Sequence, residues 1–291
     1  MIKNIAFIGL GVMGYPMAGH LISKNNNLNI KVYNRSIEKS ENWISKFDGT
    51  LTKTPAEAAE GCDIVFMCVG NDKDVEQVVR GDKGIMSRIP ENSIIVDHTT
   101  ASAKISLELN KYCKESKNVS FMDAPVSGGQ AGAENGQLTV MIGGDDKSYN
   151  TILPLINSYA KNSTLIGNSG SGQLAKMMNQ ICIAGLLQGL AEAINFGQKA
   201  NLDIEKVIGV IKDGAASSWQ MQNRYKTMVK DEFDFGFAVE WMRKDLKICL
   251  EQADEVGARL PITAIIDQFY SNVLGLGGKR WDTSSLIKLL R

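Results

Sequence analysis

Apolar residues along this chain follow two regimes. In the first half they come as short runs: Ile5-Ala6-Phe7-Ile8, Ile30-Lys31-Val32-Tyr33, Ile64-Val65-Phe66-Met67-Cys68-Val69, Ile94-Ile95-Val96, Val119-Ser120-Phe121-Met122 and Leu138-Thr139-Val140-Met141-Ile142. Most runs are continuous rather than alternating, as strands covered on both faces should be. Helix-length segments lie between them, among them 16–23, 56–59 and 103–115. Strand and helix in alternation predict an α/β fold with a mainly parallel, doubly wound sheet. The character changes near Gly170-Ser171-Gly172. A segment rich in Ala, Leu, Met and Ile runs over 173–200, and further helical stretches follow at 203–212, 217–230, 238–256, 262–274 and 284–290. No convincing strand pattern follows Ile166. The expected organisation is therefore an α/β domain over 1–168 and an all-α domain over 169–291, joined by one long helix.

Composition narrows the function classes. Lys+Arg and Asp+Glu are both 32 in 291 residues, so the formal net charge is zero. A nucleic-acid partner usually needs a basic excess, and none is expected here. The five cysteines, Cys62, Cys68, Cys113, Cys182 and Cys249, form no CxxC pair and read as reduced, mostly buried thiols. His20 and His98 are the two histidines and have no paired-ligand spacing, so no metal site is expected. No run approaches ~18 uninterrupted apolar residues, so no membrane span is expected. With an opening Met1-Ile2-Lys3-Asn4 that runs into the first strand, the expectation is a cytoplasmic protein. The sequons at Asn34, Asn118 and Asn162 carry no meaning in that compartment.

The first chemistry-bearing segment is Gly9-Leu10-Gly11-Val12-Met13-Gly14, between the first strand and the first helix. Isolated, a GxGxxG is weak evidence. Between a strand and a helix, with a second strand ending about 20 residues on, it predicts a Rossmann-type dinucleotide site. Gly9 permits the tight turn, Gly11 lets backbone approach a pyrophosphate, and Gly14 lets helix pack on strand. The helix N-terminus then offers N–H groups and a positive dipole end to the phosphates. The second strand ends Asn34-Arg35-Ser36. An NAD site usually places a carboxylate there for the ribose 2′-hydroxyl. Asn34 removes that charge, while Arg35 and Ser36 can bind a 2′-phosphate. NADP is favoured over NAD; the alternative, less favoured reading takes Arg35 as simply a solvated loop residue.

Three further segments carry candidate chemistry. In Asp123-Ala124-Pro125-Val126-Ser127-Gly128-Gly129, two glycines after a serine free backbone amides for an anion such as a substrate carboxylate. In Gly172-Gln173-Leu174-Ala175-Lys176-Met177-Met178-Asn179-Gln180, the residues Gly172, Lys176 and Asn179 with Gln180 share a helix face. An apolar neighbourhood should desolvate Lys176 and make it a usable proton donor and acceptor. A lone helical lysine is otherwise a surface residue. Arg243-Lys244-Asp245-Leu246, taken alone, is a charged helix face.

Together the motifs GLGVMG, DAPVSGG, GSGQLAKMMNQ and KDL resemble, in order and over essentially the whole chain, the β-hydroxyacid dehydrogenase family. That group includes 3-hydroxyisobutyrate dehydrogenase, tartronate semialdehyde reductase and glyoxylate/succinic semialdehyde reductases. The resemblance implies hydride exchange between NAD(P) and a small hydroxy acid or its semialdehyde, with Lys176 as general acid and base. It implies that Ser127, Gly128 and Gly129 hold the substrate carboxylate and that Asn179 bonds the substrate near Lys176. Lys244 and Asp245 would complete the site, Lys244 also touching cofactor, while Val69-Gly70-Asn71 and Thr99-Thr100 would line the nicotinamide end. It further implies a homodimer or homotetramer. Two departures stand out. Many members carry Asn four residues after the lysine, where this chain has Gln180, which leaves the role open between Asn179 and Gln180. The run Asp97-His98-Thr99-Thr100-Ala101-Ser102 replaces the commoner Asp-x-Ser-Thr-x-x-Pro, and His98 reads as a loop histidine, cleft-lining or exposed. Trp219, Gln220, Asn223, Phe237 and Trp241 are pocket candidates whose spacing suits core packing as well. Rival readings are an imine reductase of the same fold, against which Lys176 argues, and an idle dinucleotide-binding module. A 6-phosphogluconate dehydrogenase needs a longer helical domain than 291 residues supply.

Overall fold

The first strand shows why the chain builds a two-sided sheet. In β1 (Asn4–Ile8), Ile5 and Phe7 point into one apolar core while Ala6 and Ile8 point into another. The same alternation recurs in β4 (Ile64–Met67), where Ile64 and Phe66 join the first core and Val65 and Met67 the second. Side chains alternate across a strand, so a continuous apolar run needs cover on both faces. This computed structural model describes residues 2–291. It divides into two compact units, the first ending at Lys176 and the second running Met177–Arg291.

In chain order the first unit continues from β1 through α1 (Gly14–Lys24), β2 (Asn29–Tyr33), α2 (Ile37–Ile44), β3 (Thr50–Leu51), α3 (Pro55–Ala59), β4, α4 (Asp72–Arg80), α5 (Ile85–Arg88), β5 (Ile94–Asp97) and α6 (Ala103–Lys117). It ends with β6 (Ser120–Asp123), β7 (Val126–Ser127), α7 (Gly129–Glu134), β8 (Leu138–Gly143), α8 (Asp146–Ile156), β9 (Ala160–Gly167) and the start of α9 (Ser171–Lys199). The sheet order is β3-β2-β1-β4-β5-β6-β8-β7, with β9 on β8. Pairing is parallel from β3 to β6, whereas β8 runs antiparallel to β6 and β7 and parallel to β9. Met17 and Leu21 of α1 enter the first core; Ile105 and Leu109 of α6 enter the second. The order reverses at β1 and β4, so the crevice beyond their carboxyl ends is where such a sheet binds ligands.

Beyond α9 the second unit is helical: α10 (Ile204–Ile211), α11 (Trp219–Lys230), α12 (Val239–Val256), α13 (Pro261–Gly275) and a 3₁₀ segment at Thr283–Leu290. By length and composition alone α9 could cross a membrane. In this fold it instead brings Ala184, Leu187, Ala191 and Ile194 into a core with Met242 and Leu246 of α12 and Tyr270 of α13. Cys62, Cys113 and Cys249 are buried, and burial pushes the Cys62 and Cys113 thiols up to about 11 and about 12.

Candidate active site

The glycine loop is built as its sequence demands. Gly9 adopts φ +93°, its N–H donates to the Tyr33 carbonyl (2.8 Å), and a Cβ there would lie 2.2 Å from the Cys68 carbonyl oxygen. A Cβ on Gly14 would lie 1.9 Å from the Gly9 carbonyl oxygen, so α1 packs directly on the loop. At Gly11 a Cβ would meet nothing within 4 Å, which leaves the backbone approachable. The first turn of α1 has neither a side-chain cap nor an acidic residue to oppose an anion. Tyr15 and Met17 N–H donate to the Gly11 (3.0 Å) and Met13 (3.4 Å) carbonyls and Pro16 has no N–H, which leaves the Gly14 N–H at the helix start for an anion. These features fit the pyrophosphate of a dinucleotide. Asn34 has a job the sequence did not disclose: its Oδ1 accepts from Leu10 N–H (2.9 Å) and its Nδ2 donates to the Ser36 carbonyl (3.0 Å). Arg35 is 86% exposed and pairs with Asp74 of α4 at 3.2 Å. Val12 is exposed and Met13 half-buried. A cavity of about 600 Å³ lies beside the loop, lined by Leu10, Gly11, Val12, Tyr15 and Lys39 among others, but by neither Ser127 nor Lys176.

The loops after β4 and β5 are braced to each other. Thr99 is buried; its Oγ1 accepts from Val69 N–H (2.9 Å) and its own N–H donates to Asp97 (2.9 Å). Thr99 thus ties the loops together, while Gly70 and Thr100 are half-buried beside it. Asn71 caps α4, its Oδ1 accepting from the N–H groups of Lys73 (2.9 Å) and Asp74 (3.2 Å). His98 departs from expectation. It neither lines a cleft nor meets solvent, because the ring is buried between Ala124 and Tyr159 and stacked on Phe66.

The Asp123–Gly129 segment and the lysine helix meet at Asp123. Gly128 (φ +132°) and Gly129 (φ +61°) hold the left-handed conformations that turn β7 into α7, and Ser127 beside them is half-buried. Asp123, at the end of β6, accepts from Gly170 N–H (2.7 Å) through Oδ1 and from Gln173 N–H (3.0 Å) through Oδ2. It therefore caps the N-terminus of α9; burial pushes its carboxyl up against the lowering effect of those bonds. A Cβ on Gly172 would lie 2.5 Å from the Met141 carbonyl oxygen, so only glycine admits the helix this close. Gln173, fully buried, donates to the Thr99 carbonyl (2.7 Å) and accepts from Ala101 N–H (3.1 Å). One turn later comes Lys176, 7% exposed. Sequence reasoning gave no role to Asp123 or Gln173. The signal was there, since each sits inside a quoted motif, but the partners of Gln173 lie more than 70 residues away.

In the second unit Gln180 donates to Asp245 Oδ2 (2.7 Å), Asn179 donates to Gln180 (2.8 Å), and Lys244 pairs with Asp245 (3.1 Å). Gln180 is thus bonded to Asp245, and Asn179 to Gln180. Trp219 and Trp241 are exposed rather than core, and the Arg224 guanidinium lies 4.9 Å from the Trp219 ring centre. Among the described residues no cluster of His, Cys, Asp and Glu could hold a metal.

Comparison with known proteins agrees with this architecture. Residues 4–167 match the family described as the NAD binding domain of 6-phosphogluconate dehydrogenase, and residues 170–290 that described as NAD-binding of NADP-dependent 3-hydroxyisobutyrate dehydrogenase. An uncharacterized oxidoreductase of Shewanella frigidimarina is 55% identical over 99% of this chain and 98% of its own. The 2-hydroxy-3-oxopropionate reductase of Escherichia coli is 31% identical over 99% of this chain and 97% of its own. Among solved structures, Mycobacterium tuberculosis 3-hydroxyisobutyrate dehydrogenase with L-serine superposes with a TM-score of 0.89, at 25% identity and full coverage of both chains.

Proposed function

Since the chain belongs to the 3-hydroxyisobutyrate dehydrogenase family and is an NAD(P)-binding oxidoreductase, we propose that it interconverts a small 3-hydroxy or 2-hydroxy carboxylic acid and its semialdehyde, with Lys176 as general acid and base. The observation that carries this reading is the anchoring of α9. Asp123 caps the helix and Gln173 ties it to the β5–α6 loop, so Lys176 is buried one turn from a fixed point.

When bound, the nicotinamide supplies or accepts the hydride. The loop Gly9–Gly14 would hold the pyrophosphate, Asn34, Arg35 and Ser36 the adenosine ribose, and Val69-Gly70-Asn71 with Thr99-Thr100 the nicotinamide end. Asn34 presents no carboxylate to repel a 2′-phosphate, which supports NADP as the preferred form. The Ser127 hydroxyl and the Gly128 and Gly129 amides would clamp the substrate carboxylate, since a nest of backbone N–H groups favours an anion. Lys176 would stabilise charge developing on the substrate oxygen and then protonate it; in oxidation it removes the hydroxyl proton. Relatives named for 2-hydroxy-3-oxopropionate and 3-hydroxyisobutyrate support a short substrate with one carboxylate.

The test is Lys176→Ala, assayed with NADPH against a panel of aldehyde acids. Loss of a positioned acid/base should lower kcat roughly 10²–10⁴-fold while NADPH affinity, measured by fluorescence titration, stays close to wild type. Turnover near the wild-type rate would overturn the mechanism.

A further inference from the structure

Arg35 was singled out for a 2′-phosphate, yet its guanidinium already has an anion. Nη1 lies 3.2 Å from Asp74 Oδ1, and the two side chains differ sharply in freedom. Arg35 stands 86% exposed on a long stem, while Asp74 is 29% exposed and sits in the first turn of α4. The backbone N–H of Asp74 is fixed by Asn71 Oδ1 (3.2 Å), and its Oδ2 accepts from Asn71 Nδ2 (3.2 Å). A carboxylate in a first helical turn also gains from the helix dipole. The acid is therefore the fixed partner and the guanidinium the movable one.

We propose that Asp74 is a specificity-determining residue, which competes with the 2′-phosphate of NADP for the Arg35 guanidinium and so limits discrimination against NAD. The proposal rests on the reading of Arg35 as the 2′-phosphate ligand. A 2′-phosphate reaching Arg35 either displaces the Asp74 carboxylate or shares the guanidinium with it, and in both cases two anions meet at one cation. The uncharged 2′-hydroxyl of NAD ribose does neither. Asp74 thus acts on one cofactor and not on the other. Its effect is modest because the pair is largely exposed and solvent screens it.

The experiment measures equilibrium dissociation constants for NADPH and NADH by fluorescence titration, and for adenosine 2′,5′-bisphosphate by calorimetry, in wild type, Asp74→Asn, Arg35→Gln and the double variant. Asn retains an oxygen for the Asn71 contact; Asp74→Ser, with a shorter side chain, is the second replacement and should behave alike if folding is intact. Removing the competing charge should tighten NADPH and the bisphosphate roughly three- to fivefold, leave NADH within about twofold, and lose most of its effect in the Arg35→Gln background. If Arg35→Gln weakens NADPH but both Asp74 replacements leave it unchanged, Asp74 is no determinant, although the NADP reading stands. Equal tightening of NADH would also overturn the proposal, by showing a general charge effect. If Arg35→Gln leaves NADPH binding unchanged, the NADP reading itself fails and the competition falls with it.

Discussion

His98 holds both ring nitrogens in hydrogen bonds, Nδ1 at 2.6 Å from the Ala124 carbonyl oxygen and Nε2 at 2.8 Å from the Tyr159 hydroxyl. A carbonyl can only accept, so the neutral ring carries its proton on Nδ1 and takes the Tyr159 O–H on Nε2. Burial lowers the pKa from 6.5 to about 4, against a smaller raising effect of the Ala124 bond. As pH falls, the unfolded chain therefore binds this proton first. His98 favours the fold fully above about pH 6.5, and that contribution drains away between 6.5 and about 4. The full swing is on the order of 3 kcal/mol. Urea midpoints should drop steeply from pH 7 to 4.5 in the wild type and less steeply in His98→Gln, whose amide does not titrate; identical slopes would acquit His98. The sequence pointed the other way because Asp97-His98-Thr99 reads as a polar loop. In fact the ladder of β5 continues one residue further, His98 N–H donating to the Met67 carbonyl, and the Tyr159 partner is 61 residues distant. A long-range partner of that kind leaves no local trace.

At the scale of elements, α9 depends on three adjoining features: the Asp123 cap, the bare backbone at Gly172 and the Gln173 brace. Gly172→Ala should be destabilising, since its Cβ would sit 2.5 Å from a backbone oxygen that cannot swing away. A cost of about 1–3 kcal/mol is expected from such overpacking. Gln173→Leu keeps apolar volume but leaves the Ala101 N–H and Thr99 carbonyl without it in a buried place, a loss of about 1–3 kcal/mol. Urea denaturation checks both, and a variant as stable as wild type would show that the helix start is not so tightly held. The helix itself was legible, since long apolar periodicity is the strongest pattern a sequence offers. Other elements were not. In β9 four polar residues in succession, Lys161 to Thr164, precede Leu165-Ile166, with Lys161 and Asn162 exposed and the strand paired to β8, so no continuous apolar run marks it. Helix α4 is mostly charged and buries only Val75 and Val79, so its existence rests on the Asn71 cap and two valines. The glycine loop was legible, because Gly9 and Gly14 each answer a backbone demand that a side chain could not meet, while Gly11 leaves its backbone open. The bracing by Thr99, Asp123 and Gln173 was not, because polar residues in loops carry no periodicity.

Taken as a whole, the chain leaves an apolar face open along α9. Leu174, Met178 and Leu186 recur at multiples of four, Phe196 falls in the same sector, and Met178 and Phe196 are 70% and 71% exposed. At 100° per residue these positions occupy about a third of the helix circumference. An exposed apolar face, here interrupted by Glu192 before Phe196, is costly in water and marks an interaction surface. Composition alone did not reveal it, because Ala, Leu and Met serve equally in a core and in an interface. We infer that a second copy of the chain covers this face, giving a homodimer or a tetramer built from such dimers. Size-exclusion chromatography with light scattering should find no monomer at micromolar concentration. Met178→Lys with Phe196→Lys should shift the species towards monomer while the urea m-value per chain is retained. Two exposed positions tolerate lysine in the isolated fold, whereas an unpaired lysine driven into an apolar interface must be desolvated. A wild-type protein that elutes as a monomer, or a double variant that assembles as before, would show that this face is not the interface.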